Sequence, residues 1–185
     1  MVRILLALIV LASASAALAQ ETQSNDPRAG LAQSAFNAFF AAHDAGDAQA
    51  AYAILSPSFR ASTTFEEYER VLAQKVGERG ALIERRIMRA TVYDNPAHSP
   101  GPGVYIAFDF VGWFENTDLY CGYLIAFQPP AGGDFTVMRV EETMMDRQTA
   151  TAIDADPEPP TSAEAWASVA GSVCPVWLSA PASRG

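Results

Sequence analysis

Cysteine and histidine are scarce in this chain: Cys121, Cys174, His43 and His98 are all that its 185 residues hold. The two histidines stand far apart in unrelated contexts, so a zinc site, which takes about four Cys and His ligands, is short of donors. A catalytic thiol would need an activating histidine beside it, and neither cysteine has one nearby in sequence. Also missing are a Gly-x-Ser-x-Gly elbow, a dinucleotide fingerprint and a phosphate loop. The glycines of PGPG and AGGD neither open a helix nor precede a lysine, and read as turns. Asp44 with Asp47, and the later Asp154, Asp156 and Glu158, lack the ligand spacing of a calcium loop. They read as helix caps and solvated linker. No cofactor and no metal is implied.

Positive charge is scarce as well. Lys and Arg number 12 against 21 Asp and Glu, a net charge of −9. Nucleic-acid binding by counterion release needs a basic footprint, and anionic lipid surfaces attract the same kind of patch. Neither partner is expected.

Long apolar runs occur once, at the start. In MVRILLALIVLASASAALAQ, Arg3 makes a short positive region and Ile4 to Ala12 an apolar core too short to span a bilayer. Ala17-Leu18-Ala19 then puts small residues where a signal peptidase reads. The pattern predicts a signal peptide over residues 1–19, cut between Ala19 and Gln20. No cysteine follows the apolar core and no paired arginines precede it, so neither lipid attachment nor folded export is expected. The mature chain, more negative by the loss of Arg3, is expected in the periplasm or outside the cell, and its length suits one domain.

An oxidising compartment changes how Cys121 and Cys174 are read. Two cysteines in one small exported domain favour a disulfide over a pair of unlinked thiols. About 53 residues separate them, so the bond contributes up to ~4 kcal/mol in the chain-entropy picture.

Along the chain, helices come first and strands second. Residues 20–28 are polar and predicted to be flexible. From Ala29 to Ala45, Phe36, Phe39, Phe40 and His43 repeat as one helical stripe, ended by Gly46. Asp47 caps a second short helix that Pro57 closes. Thr63 or Thr64 opens a third, with Phe65, Tyr68, Leu72 and Val76 on its buried face. After Gly80 the period becomes two. ALIERRIMRATVYDNP, GVYIAFDFVGWF, LYCGYLIAF and FTVMRVEETMM read as four strands with short links, hence antiparallel. The expected fold is α+β, about three helices on a curved four-stranded sheet, over residues 29–147.

The middle strands are apolar on both faces, so the second face needs a cover. After a proline-rich acidic linker (148–162), Trp166, Val169 and Val173 repeat at helical spacing. A C-terminal helix over 163–175, tethered by Cys174 to Cys121, is predicted to lie there, followed by a loose tail (176–185). A homodimer is a second way to cover that face.

Three stretches carry a family likeness: Asp44 to Asp47, Ser56 to Arg60, and Gly80 to Arg86. Their pattern, an Asp-x-Gly-Asp-like turn, a Ser-Pro-x-Phe-Arg-like step and a Gly-x-Leu-x-x-Arg strand entry, resembles an exported bacterial family built on domain of unknown function 4019. The resemblance spans roughly Ala29 to Arg147. It implies a cystatin-like cone, as in nuclear transport factor two, with a curved sheet wrapped around a long helix. The chain departs from the family in its last strand, which lacks the usual tryptophan-to-tyrosine ending, and in its C-terminal cysteine segment. The family supplies no catalytic residues, and cone folds host isomerases, hydratases, carriers and interaction modules alike.

A pocket in such a cone lies between the sheet and the first helix, and its candidate residues are His43, Tyr105, Asp109 and Trp113. His43 ends the phenylalanine stripe, although a histidine at a helix end is also favoured by the dipole alone. Asp109 shares a strand face with Tyr105 and Trp113. A carboxylate there suits proton abstraction with Tyr105 or Tyr93, unless it is solvated or paired with Arg139 or Arg86. The preferred reading is a non-enzymatic exported domain that binds a protein partner or a small apolar ligand. The alternatives are a cone-fold isomerase or hydratase, and a structural or stress-related envelope protein.

Overall fold

The computed structural model describes residues 25–146, with 148, 151 and 152. The predicted signal peptide, C-terminal helix with Cys174, and tail lie outside the described residues.

Helix α1 (Pro27–Asp44) opens on Asp26, whose side chain accepts from the Arg28 amide, and on Pro27, whose fixed φ suits the first turn. It takes in Pro27 and Arg28, which the sequence reading assigned to a flexible start. Asp47 caps α2 (Ala48–Ile54), accepting from Ala50 N at 3.0 Å. Pro57 does not simply close that helix, as expected from sequence. Helix α2 ends at Ile54, Leu55 bridges to Val137, and the Ser56 amide donates to the Val137 carbonyl at 2.7 Å. Pro57 then opens an extra helix, α3 (Pro57–Ser62), capped by Ser56. A proline can end one helix and begin the next because its missing N–H costs nothing in a first turn. Of the two predicted starts for the next helix, Thr64 is the cap: its hydroxyl accepts from Glu67 N at 3.2 Å, opening α4 (Phe65–Arg79). Gly80 takes φ +74° after it, in the left-handed region glycine enters freely.

Four strands follow: β1 (Leu82–Asp94), β2 (Val104–Phe114), β3 (Thr117–Gln128) and β4 (Thr136–Asp146). They form one sheet in the order β1-β2-β3-β4, each antiparallel to its neighbour. The fold is therefore α+β, with four described helices where the sequence suggested about three.

Register sorts the side chains into rows that cross all four strands. On the face under the helices the rows are Arg85–Gly112–Tyr120–Met144, Ile87–Phe110–Gly122–Glu142, Ala90–Phe108–Leu124–Val140 and Val92–Ile106–Ala126–Val137. The apolar members of these rows pack with Phe36, Phe39, Phe40, Leu55 and Leu72 into the main core. Each such phenylalanine stabilises by roughly 1.5–3 kcal/mol. On the opposite face the rows are Arg86–Val111–Cys121–Thr143, Arg89–Asp109–Tyr123–Glu141 and Thr91–Ala107–Ile125–Arg139. Two bulges keep this phase. One inserts Met88 between Ile87 and Arg89, the other Met138 between Val137 and Arg139.

Candidate functional site

The first two helix-side rows end in charge. Arg79 is fully buried at the end of α4, Arg85 and Asp44 expose 7% and 11% of their side chains, and Glu142 only 2%. Arg79 Nη2 donates to Asp44 Oδ1 at 2.9 Å and to the His43 carbonyl at 3.2 Å, and lies 3.1 Å from His43 Nδ1. Arg85 grips the same carboxylate with both Nη groups, one at 3.0 Å to Oδ1. Its guanidinium carbon sits 3.8 Å from the Phe40 ring centroid, while Arg79 covers Phe114 at 4.6 Å. Tyr120 donates its hydroxyl to Glu142, whose other oxygen takes Lys75 Nζ at 2.5 Å.

Two glycines allow close approach beside this assembly. A Cβ on Gly112 would stand 2.8 Å from a Tyr120 ring carbon, and one on Gly122 would collide with the Glu141 backbone carbonyl of the paired strand.

Burial raises the Asp44 pKa, but the adjacent His43, the Arg85 hydrogen bonds and the charges of Arg85 and Arg79 outweigh it, and the net shift is downward. Glu142 behaves alike: burial raises it, and His43, Lys75 and the Tyr120 hydroxyl together bring it below its ordinary value. Tyr120 is pushed well up by burial and by the Glu142 charge, so it stays a neutral donor. Asp44, Glu142 and the Tyr120 hydroxyl are each partnered, whereas Nε of Arg79 and of Arg85 is buried with no hydrogen-bond partner among the described residues. The arrangement ties α1, α4, β1, β3 and β4 into one unit.

The four sequence candidates do not come together. His43 is 4% exposed and lies under the helices, between the Phe39 and Phe40 rings at 5.3 and 5.7 Å. Tyr105, Asp109 and Trp113 lie on the opposite face. There Asp109 Oδ2 accepts from Arg89 Nε at 2.7 Å, its neighbour in the cross-strand row, and not from Arg139 or Arg86 as sequence suggested. Arg139 pairs with Glu141, and Arg86 pairs with Glu84 and covers Trp113 at 5.1 Å. The Tyr105 hydroxyl donates to the Gly101 carbonyl at 2.6 Å. Among the described residues, no group of three or more His, Cys, Asp or Glu is placed to hold a metal.

The expected space between sheet and first helix is packed with aromatic rings. Phe36, Phe40, Phe108 and Phe110 stand 4.8 to 5.8 Å apart. A cleft of about 790 Å³ opens instead on the other face. Tyr105, Ala107, Tyr123 and Ile125 form its floor, with Met138 and Arg139 beside them; the 96–100 loop, Ser58, Phe59 and Ser62 line the rest. Met138 and Arg139 can both line it, although adjacent in sequence, because the bulge re-aims one of them. Of the four pocket candidates, Tyr105 alone contributes to the cleft, together with Tyr93, the other tyrosine named for proton abstraction.

Sequence reasoning missed Arg79, Arg85, Tyr120 and Glu142. Their signal was phase. Arg79 continues the Phe65-Tyr68-Leu72-Val76 stripe by three residues, and Arg85 precedes Ile87 by two. Glu142 sits two residues from both Val140 and Met144. A charge in core phase predicts a buried partner. Asp44, read from sequence as a cap or solvated residue, is that partner; Asp47 alone is the cap.

The comparisons with curated proteins and with solved structures each found no match. A family profile described as a protein of unknown function (DUF4019) matches residues 35–138, more than half of the chain, and so includes Asp44, Ser56, Gly80 and Arg85. The chain therefore belongs to the DUF4019 family, with the turn, helix cap and strand entry of the sequence pattern standing at the joints of its α+β fold.

Proposed function

We propose that this chain is a non-enzymatic exported domain that binds a small apolar ligand in the cleft on the sheet face away from α1. The observation that carries the reading is the cleft itself. Its volume of about 790 Å³ and its aromatic and aliphatic floor match the character of small-molecule sites, which hold few polar groups. Binding there removes apolar surface of Ala107 and Ile125 from water, with each buried methylene of ligand worth about 0.8 kcal/mol. The isomerase or hydratase alternative has less support. Asp109 is occupied by Arg89, and the hydroxyl of Tyr105 is committed to Gly101.

The same proposal includes export to the periplasm or beyond after cleavage between Ala19 and Gln20. It includes a Cys121–Cys174 disulfide tethering a C-terminal helix over 163–175, and a cystatin-like curvature of the sheet. Support for the bridge comes from Cys121, which is fully buried beside Val111 and is not a free thiol. Amino-terminal sequencing of exported protein should begin at Gln20. Titration of unreduced, unfolded protein should find no thiol; two thiols contradict the bridge.

The ligand reading is tested with the neutral fluorophore N-phenyl-1-naphthylamine and the mature chain. Saturable fluorescence enhancement, lost in Ala107→Trp, which fills the cleft floor, is the expected result. A response that never saturates, or one unchanged by Ala107→Trp, overturns it and favours a structural envelope role.

A further inference from the structure

Resting on that reading, we infer that the cleft selects an amphipathic acid: a mainly apolar molecule with one anionic headgroup, which Arg139 receives. The chain as a whole is acidic, at net −9. Yet among the described residues lining the cleft there is no Asp or Glu, and Arg139 is the only Lys or Arg. Asp109 and Glu141 flank the floor residue Tyr123 in the adjoining row, so within the cleft itself Arg139 is the group that can receive an anion.

Register puts that cation in place. Arg139 closes the row Ala107–Ile125–Arg139, so it stands at the end of the apolar floor and on the same face. Its guanidinium carbon lies 5.7 Å from the Tyr123 ring centroid, within cation–π range of the floor. In the free protein Arg139 Nε and Nη2 both donate to one oxygen of Glu141, and the Tyr123 hydroxyl stands against the same pair. That pair is exposed, 58% and 41%, and such surface pairs contribute only about 0–1 kcal/mol. A ligand carboxylate can therefore share or replace Glu141. Its gain is a charge-assisted, two-pronged contact that lysine would not reproduce.

The experiment compares displacement of N-phenyl-1-naphthylamine by dodecanoate, 1-dodecanol and dodecylammonium, each below its aggregation limit. Dodecanoate should bind roughly tenfold tighter than dodecanol, and dodecylammonium weakest. Arg139→Gln should remove the acid preference while leaving dodecanol within about twofold, because the floor is untouched. Equal affinities for acid and alcohol, or an acid preference that survives Arg139→Gln, overturn the inference while the apolar-ligand reading stands. If none of the three displaces a fluorophore that binds saturably, the acid inference falls and the apolar-ligand reading stands; if the fluorophore itself does not bind saturably, both fall. Circular dichroism of Arg139→Gln checks the fold; this exposed residue is outside the main core, so the variant should fold.

Discussion

Arg85 with Asp44 and Arg89 with Asp109 are chemically the same pair, a guanidinium on β1 and a carboxylate close by, yet they sit on opposite faces of one sheet. Under the helices the two side chains expose 7% and 11%; on the other face Arg89 is 54% exposed and Asp109 18%. Water screens the second pair and can replace either partner. It reaches the first far less, and there removing one charge leaves another stranded. The difference lies in what covers each face, so the same two residue types make a structural joint in one place and a surface decoration in the other.

Breaking the buried side should have the largest effect. Asp44→Asn leaves Arg79 and Arg85 without their shared counter-charge and should cost about 3–5 kcal/mol in urea unfolding. The same comparison can be sharpened by pH. Asp44 and Glu142 are held below their ordinary values in the folded state, so the unfolded chain takes up protons first as pH falls. Their stabilisation is complete above about pH 5 and is lost as pH drops through and below the ordinary carboxylate range toward the folded values. Chemical denaturation of the parent between about pH 5 and 3 should show that decline. In Asp44→Asn the slope should be shallower, and an unchanged slope would mean that Asp44 is not part of it.

Next in size is Gly122→Ala. A methyl group there meets the Glu141 carbonyl beside the Glu142 row, and the forced shift of two paired strands should cost roughly 1–3 kcal/mol or more. A loss no greater than at an exposed strand position would show that the strands can part without disturbing the buried charges. Smallest is the outer pair: Arg89→Gln should change stability by about 0–1 kcal/mol, and less as salt is added. A loss as large as that from Asp44→Asn would remove the distinction between the faces.

Much of the fold was legible in local chemistry. Helix starts followed from Asp47 and Thr64, and strand phase from alternation such as Ile106, Phe108 and Phe110, because these depend on neighbours within a few residues. Helix α3 was missed since Pro57 signals an end as readily as a beginning, and only the Leu55–Val137 bridge explains why the chain turns there. The candidate site was harder. His43 and Tyr105 looked like neighbours of one pocket because a pattern of period two does not say which face meets the helices. Arg89 was missed as the partner of Asp109, for which Arg139 or Arg86 was named, because the Met88 bulge shifts the register by one.

From the sequence alone came the order of helices and strands, the antiparallel links, the scarcity of metal ligands and the likeness to a family whose profile does match. Those follow from short-range sterics, capping and composition. Tertiary structure decided which charges are buried, that the phenylalanine-lined interior is filled, and that a cleft stands on the opposite face. Those depend on contacts between residues as far apart as Asp44, Arg85 and Glu142, whose meeting is set by packing across the whole sheet.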